Sequence, residues 1–193
     1  MHTALSGAKI YPMRYSKIIY LKDGRECLIK SAGEDDAEAM CTSFSDTHSE
    51  TDFLLTYPDE SSFTPDEERK FLIDKENSDR EIELCAVVDG RIVGSAGVDA
   101  LSQKCKLQHR AEFGISILRS FWGLGIGRAL TECSIEMARK AGYEQLELEV
   151  VSDNSRAIAL YESEGFVEYG RNPRGFKSRA SGYQCLVLMR LEL

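Results

Sequence analysis

Three glycines at alternate positions, Gly123, Gly125 and Gly127, lie between a strand-like segment and a helix-like segment. Glycine tolerates positive φ angles and leaves the backbone open to a ligand, because it has no Cβ atom. The helix that is expected to begin near Ile126 would present its unpaired N–H groups and its positive dipole end to this loop. The pattern is typical of a site that binds phosphate or pyrophosphate.

Two common phosphate-binding loops fit this stretch poorly. A Walker loop requires Gly-Lys followed by Ser or Thr, and here Arg128 and Ala129 follow the last glycine. The dinucleotide fingerprint G-x-G-x-x-G, begun at Gly123, would require a glycine where the chain has Arg128. A nucleotide-binding domain is therefore a weaker interpretation of this loop.

Two motifs together resemble those of the GNAT N-acetyltransferases. Residues 122–127 read WGLGIG, which is similar to the family loop (R/Q)-x-x-G-x-(G/A), with Trp122 at the position usually held by Arg or Gln. Residues 154–166 read NSRAIALYESEGF and contain every fixed position of the family signature N-x-x-A-x-x-L-Y-x-x-x-G-F. The resemblance covers residues 26–193 and is clearest over 82–170.

This resemblance implies an α/β chain with the GNAT fold, in which helices cover both faces of a central mixed β-sheet of about six to seven strands. It assigns residues 26–193 to a single acetyltransferase domain, and residues 1–25 to an N-terminal extension that includes part of a β-hairpin. A length of 193 residues with 42% hydrophobic residues suits one domain with a sizeable core.

Local patterns predict how the loop and the signature are positioned. A strand over 107–118, a helix from Ile126 to Gly142 and a strand over 144–151 form a right-handed crossover, so the sheet is parallel at its centre. The turns Asp23-Gly24 and Asp89-Gly90 predict two hairpins.

Segments further from the loop are also assigned by their patterns. Thr64 followed by Pro and three carboxylates predicts a helix that ends near Asn77. Near the end of the chain, we expect a strand to begin at Phe166 to Gly170, a basic loop over 171–182, and a last strand over 183–192.

The resemblance also implies a co-substrate, acetyl-CoA, and the residues that hold it. The candidates lie on the predicted strand, loop and signature helix, and they are Ile115, Ser116, Ile117, Trp122, Gly123, Leu124, Gly125, Ile126, Gly127, Arg128, Asn154, Ala157 and Tyr161. Arg119 and Arg128 are available for the phosphates of CoA, or are solvated surface residues. Ser155 and Arg156 are weaker candidates.

Two residues are candidates for catalysis. Strand alternation places Glu112 on one face with Gly114, which leaves room for a ligand. By resemblance, Glu112 is the general base for the acceptor amine, and Tyr161 donates a proton to the leaving thiolate. The structural alternatives are an ordinary ion pair for Glu112 and a packed ring for Tyr161.

The implied reaction is transfer of the acetyl group of acetyl-CoA to a primary amine of a small molecule or peptide, by direct attack in a ternary complex. The alternative is an acyl-CoA-binding sensor module without catalysis. Glu50, Asp52 and Tyr57, in the segment beside the expected acceptor site, are candidates to bind the amine. A solvated acidic loop is the favoured interpretation for most of that segment.

Composition limits the other partners. A net charge of −8 argues against a nucleic acid, and the lack of an 18-residue apolar run or a signal-peptide pattern leads us to expect a cytoplasmic protein without a membrane span. The six cysteines are scattered without C-x-x-C spacing, which argues against a metal site and favours small buried hydrophobic residues. The resemblance leaves a homodimer open, since family members are often dimers.

Overall fold

The computed structural model describes residues 13–60 and 63–193. The predicted N-terminal extension therefore lies partly outside the described residues. The strands are β1 Ser16–Tyr20, β2 Glu26–Ser31, β3 Ile82–Val88, β4 Arg91–Ala100, β5 Arg110–Ile117, β6 Gln145–Val151, β7 Val167–Ser178 and β8 Gly182–Glu192. The helices are α1 Ala37–Glu50, α2 Pro65–Glu76, α3 Ile126–Lys140 and α4 Ser155–Ser163, with short 3-10 turns at Glu34–Asp36 and Arg119–Phe121. None of the helices within the described ranges is long and apolar enough to cross a membrane.

All of these strands form one sheet of eight strands, in the order β1-β2-β3-β4-β5-β6-β8-β7. The strand number exceeds the expected six to seven. Both predicted hairpins are confirmed, because β1 pairs with β2 and β3 pairs with β4. The predicted parallel contact is confirmed between β5 and β6, and every other pair of neighbouring strands is antiparallel.

The prediction of a basic loop over 171–182 was wrong. β7 continues from Val167 to Ser178 and pairs with β8 along this length, so that only a tight turn precedes Gly182. The pairing register shifts between Glu168 and Gly170 and again between Asn172 and Phe176. The second irregularity contains Pro173, which has no backbone N–H for a regular ladder, and bulges of this kind let a strand continue past such a residue.

Helix α2 begins where the capping pattern predicts. The Thr64 side chain accepts a hydrogen bond from the backbone N–H of Glu67, and the Glu67 carboxylate accepts one from the backbone N–H of Thr64 at 2.8 Å. Pro65 occupies the first helical position, where its missing N–H has no cost. The prediction for this segment is confirmed.

The sheet separates two helical layers. Helix α3 packs against β3, β4 and β5 with buried residues such as Leu130 and Met137, and Tyr161 of α4 packs its ring against Phe113 of β5. On the opposite face, α1 and α2 bury Met40 and Leu72 against Cys85 of β3. Glu112 and Phe113 therefore point to different layers, as alternation along β5 predicts.

The six cysteines do not share one environment. Cys27, Cys85 and Cys133 are buried, as expected for small hydrophobic side chains. Cys41 and Cys185 are partly exposed, and Cys105 is exposed in the turn that precedes β5. The prediction of buried hydrophobic residues therefore fails for Cys105, because that turn packs little against the core.

Strands β5 and β6 part soon after they meet. Their parallel pairing covers only 110–112 with 145–147, although β5 continues to Ile117 and β6 to Val151. The parallel ladder therefore ends partway along both strands. The separation opens a gap in the middle of the sheet, next to the N-terminus of α3 and one side of α4.

Candidate active site

A cleft of about 500 Å³ occupies the gap between β5 and β6. Its described lining comes from the end of β5, the glycine loop, α4 and two segments distant in sequence. The lining residues are Lys22, Thr51, Phe53, Leu54, Ile115, Ser116, Ile117, Phe121, Trp122, Gly123, Gly125, Gly127, Arg128, Asp153, Asn154, Ser155, Arg156, Ala157, Leu160 and Tyr161. The structure thus brings together the glycine loop and the signature helix.

Two predicted cofactor residues do not line the cleft among the described residues. Ile126 is fully buried and anchors the first turn of α3 in the core, while Leu124 packs partly buried against the same core. The Leu124 carbonyl also accepts a hydrogen bond from the backbone N–H of Lys22 at 3.1 Å. These contacts fix the glycine loop from behind, against the β1–β2 hairpin.

The glycine loop has the backbone geometry of an anion site. Gly123 and Gly125 adopt φ angles of 82° and 107°, and a Cβ atom at either position would meet no atom within 4 Å. Gly125 precedes α3 without a side-chain cap, and the first turn of the helix carries no acidic residue. Backbone amides and the positive helix end are therefore available to a negatively charged group in the cleft.

Gly127 has a packing role. A Cβ atom at this position would lie 3.3 Å from Cδ2 of Leu160 and 3.4 Å from Cδ1 of Ile117. The missing side chain lets α3 approach α4 and the end of β5 closely. The alternate glycines therefore serve two purposes, since two of them shape the loop and the third lets the helix pack beside it.

Trp122 ties the loop to β5. Its indole Nε1–H donates a hydrogen bond of 2.7 Å to the carbonyl oxygen of Ile117, the last residue of the strand. The guanidinium groups of Arg119 and Arg156 lie 5.9 Å and 5.7 Å from the centre of the indole ring. Tryptophan, where the family motif has Arg or Gln, thus holds the loop in place and positions Arg156 at the cleft.

Positive charge is concentrated around the cleft. Lys22, Arg128 and Arg156 all line it, against the single carboxylate of Asp153 within the described lining. Arg128 pairs with Glu164 and donates to the Ser163 hydroxyl at 3.0 Å, which links α3 to α4. The cleft is therefore suited to an anionic ligand, even though the chain as a whole is acidic.

Asn154 and Ala157 begin α4. The Asn154 side-chain oxygen accepts a hydrogen bond from the Ala157 backbone N–H at 3.3 Å and so caps the helix. Both residues line the cleft. The capping bond engages the side-chain carbonyl, so the amide N–H groups of Asn154 are left to face the cleft.

Tyr161 is buried but faces the cleft. Its side chain is 7% exposed, and its ring packs edge-on against Phe113 at 6.2 Å between centroids. No hydrogen bond joins its hydroxyl to another residue of the described part of the chain. Burial raises the pKa of Tyr161, which keeps the phenol protonated at neutral pH and able to donate a hydrogen bond.

Glu112 lies outside the cleft lining, on the sheet face that carries α1 and α2. Its cross-strand neighbours are Asp99 on β4 and Glu147 on β6, which places three carboxylates in a row across the sheet. Partial loss of hydration raises the pKa of Glu112, and the nearby charges of Glu149, Asp99 and Glu147 raise it further. Glu112 is thus a better proton acceptor than an ordinary glutamate.

The candidates for acceptor binding make structural contacts. The Glu50 carboxylate accepts a hydrogen bond from the backbone N–H of Arg119 at 2.6 Å, at the start of the 3-10 turn before the glycine loop. Neither Glu50, Asp52 nor Tyr57 lines the cleft within the described residues. Their roles in substrate binding remain predictions.

Asp52 and Tyr57 fasten their loop to the β7–β8 hairpin. The Asp52 carboxylate accepts hydrogen bonds from the hydroxyls of Ser178 at 2.6 Å, Ser181 at 3.1 Å and Tyr57 at 3.2 Å. The Ser178 bond, reinforced by Ser181 and Tyr57, lowers the pKa of Asp52. The guanidinium of Arg179 lies 4.1 Å from the Tyr57 ring centre.

Sequence reasoning missed part of the cleft. Phe53 and Leu54 reach it from the loop after α1, and Lys22 reaches it from the first hairpin. The available signal was the run of three consecutive apolar residues over 53–55 within an acidic loop, which is unusual for a solvated segment. Nothing in the sequence pattern indicates that Lys22 meets a loop about 100 residues further along the chain.

Comparisons with known proteins agree with this geometry. A family model described as the acetyltransferase (GNAT) family matches residues 41–166. The crystal structure of an acetyltransferase of the GNAT family from Streptococcus pneumoniae is 30% identical, with a TM-score of 0.83 over 86% of this chain and 99% of that chain.

Curated relatives match over shorter stretches. The L-amino acid N-acetyltransferase AaaT of Escherichia coli (strain K12) is 34% identical over 44% of this chain and 52% of its own length. The [ribosomal protein bS18]-alanine N-acetyltransferase of Salmonella typhimurium is 31% identical over 60% of this chain and 74% of its own length. The chain thus spans about half the length of the first relative and about three quarters of the second.

Proposed function

The chain belongs to the acetyltransferase (GNAT) family, and we propose from this that it transfers the acetyl group of acetyl-CoA to a primary amine of a small molecule or peptide. The observation that carries the proposal is the cleft between β5 and β6. It combines the open N-terminus of α3, three basic side chains and the buried hydroxyl of Tyr161 in one space of about 500 Å³.

The residues of the cleft fit acetyl-CoA. Pyrophosphate suits the backbone amides of the glycine loop, where Gly123 and Gly125 leave the space that a Cβ atom would fill. Lys22, Arg128 and Arg156 supply the positive charge for the phosphates. The apolar side chains of the lining, such as Leu160, suit the pantetheine chain. When bound, acetyl-CoA supplies the activated thioester.

The polypeptide supplies positioning and proton transfer. Beyond Glu112, β5 stays paired with β4 but has no strand partner on its β6 side, where its backbone N–H groups can orient and polarise an acyl carbonyl. We assign Tyr161 as the general acid, because its side chain lines the cleft and its hydroxyl is protonated at neutral pH and not hydrogen-bonded to the described residues. The neutral amine attacks the acyl carbon directly, and its C–N bond forms as the C–S bond breaks. Tyr161 gives its proton to the thiolate sulfur, and the proton that the nitrogen still carries after the attack passes to the tyrosinate, which restores Tyr161.

We assign Glu112 as the general base. Its pKa is raised by partial burial and by neighbouring carboxylates, which improves its ability to accept a proton from an ammonium near neutral pH. It lies outside the lining of the cleft, so we propose that the proton passes through water between the amine and the carboxylate. Activity is therefore expected to rise with pH through the raised pKa of Glu112.

The electrostatics favour a cationic acceptor. Asp99 pairs with Lys75 and Glu147 pairs with Arg110. Glu112 and Glu149 have no ion pair among the described residues, so these two carboxylates form a short negative strip on the α1 and α2 side of β5. An amine is protonated at neutral pH, so such a strip would attract it before Glu112 accepts its proton. The names of the two relatives, one acting on L-amino acids and one on a protein alanine, are compatible with this class of acceptor.

The proposal is tested by following thiol release from acetyl-CoA in the presence of a panel of primary amines. We expect amine-dependent release, and mass spectrometry should show the acetylated amine. Tyr161→Phe should lower kcat about tenfold to a hundredfold while the affinity for CoA changes little, because only the proton donor is lost. CoA binding without any amine-dependent release would instead support a sensor module.

A further inference from the structure

A second cavity, of about 600 Å³, lies between α1, α2 and the sheet, and shares no described lining residue with the cleft. We call it the acidic cavity. Its described lining consists of Met40, Cys41, Thr42, Phe44, Ser45, Asp46, Pro58, Phe63, Glu68, Phe71, Glu83 and Ser95. This lining includes three carboxylates and three phenylalanines but no lysine, arginine or histidine.

Glu68 is a buried carboxylate without a partner in the described structure. Its side chain is only 8% exposed, and no hydrogen bond or ion pair joins the carboxylate to another described residue. Burial raises the pKa of Glu68. A carboxylate buried in this way is costly unless a cation or a proton neutralises it, so Glu68 indicates a ligand in the cavity that it lines.

Glu83 brings a second carboxylate to the same cavity. It pairs across β3 and β4 with Gly97, and a Cβ atom at Gly97 would lie 2.7 Å from Glu83 Oε2. The glycine therefore leaves room for the carboxylate to lie over the sheet. Burial, with the nearby charge of Asp99, raises the pKa of Glu83 to about 8.

The nearby cations are already engaged. Lys75, whose side chain is 5% exposed, pairs with Asp99 and lies 3.2 Å from Glu81. The third carboxylate of the lining, Asp46, pairs with Arg91 at 2.9 Å. The charge of Lys75 also reaches Glu83 and partly offsets the rise of its pKa. Within the described residues, Glu68 is thus the carboxylate of the lining without a cation, and it gives the cavity charge to accept one.

The walls select an organic cation over a metal ion. The rings of Phe63 and Phe71 stack at 6.2 Å between centroids, and Phe44 lines the opposite helix α1. Aromatic faces attract ammonium groups and pack against alkyl chains. Among the described residues, no group of three or more His, Cys, Asp or Glu side chains is placed to hold a metal ion.

We propose that the acidic cavity binds an organic ammonium ion, at a site separate from acetyl transfer. The ammonium group lies between Glu68 and Glu83 and donates hydrogen bonds to both carboxylates. Its alkyl part packs against Phe63 and Phe71. The site does not depend on the proposed cofactor or on the catalytic roles of Glu112 and Tyr161.

The experiment uses n-butylammonium chloride as the probe and the full chain labelled with ¹⁵N. Two-dimensional NMR spectra recorded at pH 8 should show saturable shifts at residues 40–46 and 68–71, with an affinity of about 1 mM expected for so small a ligand. 1-Butanol, which has the same chain without the charge, should cause no such shifts. Shifts confined to the cleft residues 115–117 and 153–161, or equal shifts with 1-butanol, would overturn the proposal.

Substitutions then locate the cation. Glu68→Gln should weaken binding about tenfold or more, because it removes the charge but keeps the size. Asp74→Asn is the matched control, since it removes one charge from an exposed position of the same helix and should leave the affinity unchanged. Glu83→Gln is a second test with the same expected loss. Unchanged affinity for n-butylammonium in both Glu68→Gln and Glu83→Gln would contradict the proposal that the acidic cavity binds it.

The pH dependence gives an independent readout. Charged or polar groups surround Glu83 on the elements packed against it. They are Glu68 and Lys75 on α2, Ser95 and Asp99 on β4, Glu81 before β3, and Cys41 and Asp46 on α1. A cation stabilises the ionised carboxylate, so binding should tighten from pH 6 to pH 8 and release a proton, which calorimetry in buffers of different ionisation enthalpy measures. Glu83→Gln should abolish most of this dependence, and an unchanged dependence would count against the assignment.

Discussion

The cleft and the acidic cavity have similar volumes, about 500 and 600 Å³, but opposite construction. The cleft is built from backbone, through the positive φ angles of Gly123 and Gly125 and the open end of α3. The acidic cavity is built from side chains, with Glu68 and Glu83 among phenylalanines. One sheet can therefore support an anion site and a cation site, because the N-terminus of α3 and the carboxylates of Glu68 and Glu83 line separate cavities.

The two regions also differ in how charge is balanced. The cleft keeps basic residues at its wall and has no acidic residue in the first turn of α3. In the acidic cavity, burial raises the pKa of both Glu68 and Glu83, and the nearby charges of Asp99 and Glu68 raise the pKa of Glu83 further. A substitution that damages one region should therefore leave the other intact, and the predictions below test the construction of each region.

The largest effect is expected for Glu112→Gln. Loss of the general base should lower kcat about a hundredfold to a thousandfold and remove the acidic limb of the pH profile, while n-butylammonium binding in the acidic cavity is unchanged. Glu149→Gln is the informative control, because Glu149 raises the pKa of Glu112. The Glu149→Gln variant should keep kcat and move the acidic limb of the pH profile of kcat/KM to lower pH, measured between pH 5 and 9. Full activity in Glu112→Gln would refute the assignment.

A stability effect is expected from Glu83. Its folded pKa, about 8, lies above the ordinary value, so folding is favoured by the protonated form. The contribution is complete below the ordinary pKa of about 4.3 and is lost as the pH rises through about 8. Glu83→Gln should therefore match the wild type near pH 5 and exceed its stability at pH 9 by up to about 4 kcal/mol, since about three pH units contribute about 1.4 kcal/mol each, measured by urea unfolding. An equal pH dependence in both proteins would contradict this origin.

A smaller effect should come from Gly125→Ala. The φ of 107° strains any residue with a Cβ atom, and the added methyl group would project where the amides meet the ligand. We expect CoA affinity to fall about tenfold. Gly142→Ala, at the other end of α3 with a φ of 79°, carries a similar strain and should leave affinity unchanged. An equal loss of CoA affinity in Gly125→Ala and Gly142→Ala would show that the substitution acts through the stability of the fold and not through the loop.

The smallest effect is expected for Trp122→Phe. It removes the hydrogen bond to the Ile117 carbonyl but keeps an aromatic ring for Arg156. One neutral hydrogen bond contributes about 1 kcal/mol, so CoA affinity should fall by about threefold to fivefold by calorimetry. Tryptophan fluorescence cannot be used to compare the two proteins, because Trp122 is the single tryptophan of the chain and the variant lacks it. Unaltered affinity would mean that the loop keeps its geometry without this bond.

The features predicted from sequence are those that depend on local geometry. Gly125 must adopt a left-handed conformation before α3, Thr64 and Asn154 cap the helices that follow them, and Asp89-Gly90 turns a hairpin. Each of these requirements involves a few neighbouring residues, so residue type and spacing reveal it. The glycine loop and the signature helix were therefore placed correctly beside one another.

The features that could not be predicted depend on distant contacts. The continuation of β7 past Pro173 relies on pairing with β8, and the role of Glu50 as a partner of the Arg119 backbone depends on how α1 meets the glycine loop. Glu68 and Glu83 meet only after α2 folds onto β3. A single acidic residue in an amphipathic helix carries no signal of that encounter, since most such residues are exposed.

The central claim, that the cleft binds the coenzyme, is tested most directly by thermal unfolding with acetyl-CoA, CoA, ATP and NAD in parallel. A ligand that binds only the folded state raises the melting temperature, by about 5–10 °C for a chain of this size at a hundredfold excess over Kd. We expect this shift with acetyl-CoA and CoA and not with ATP or NAD. An unchanged melting temperature with both CoA species, or an equal shift with ATP, would contradict the account.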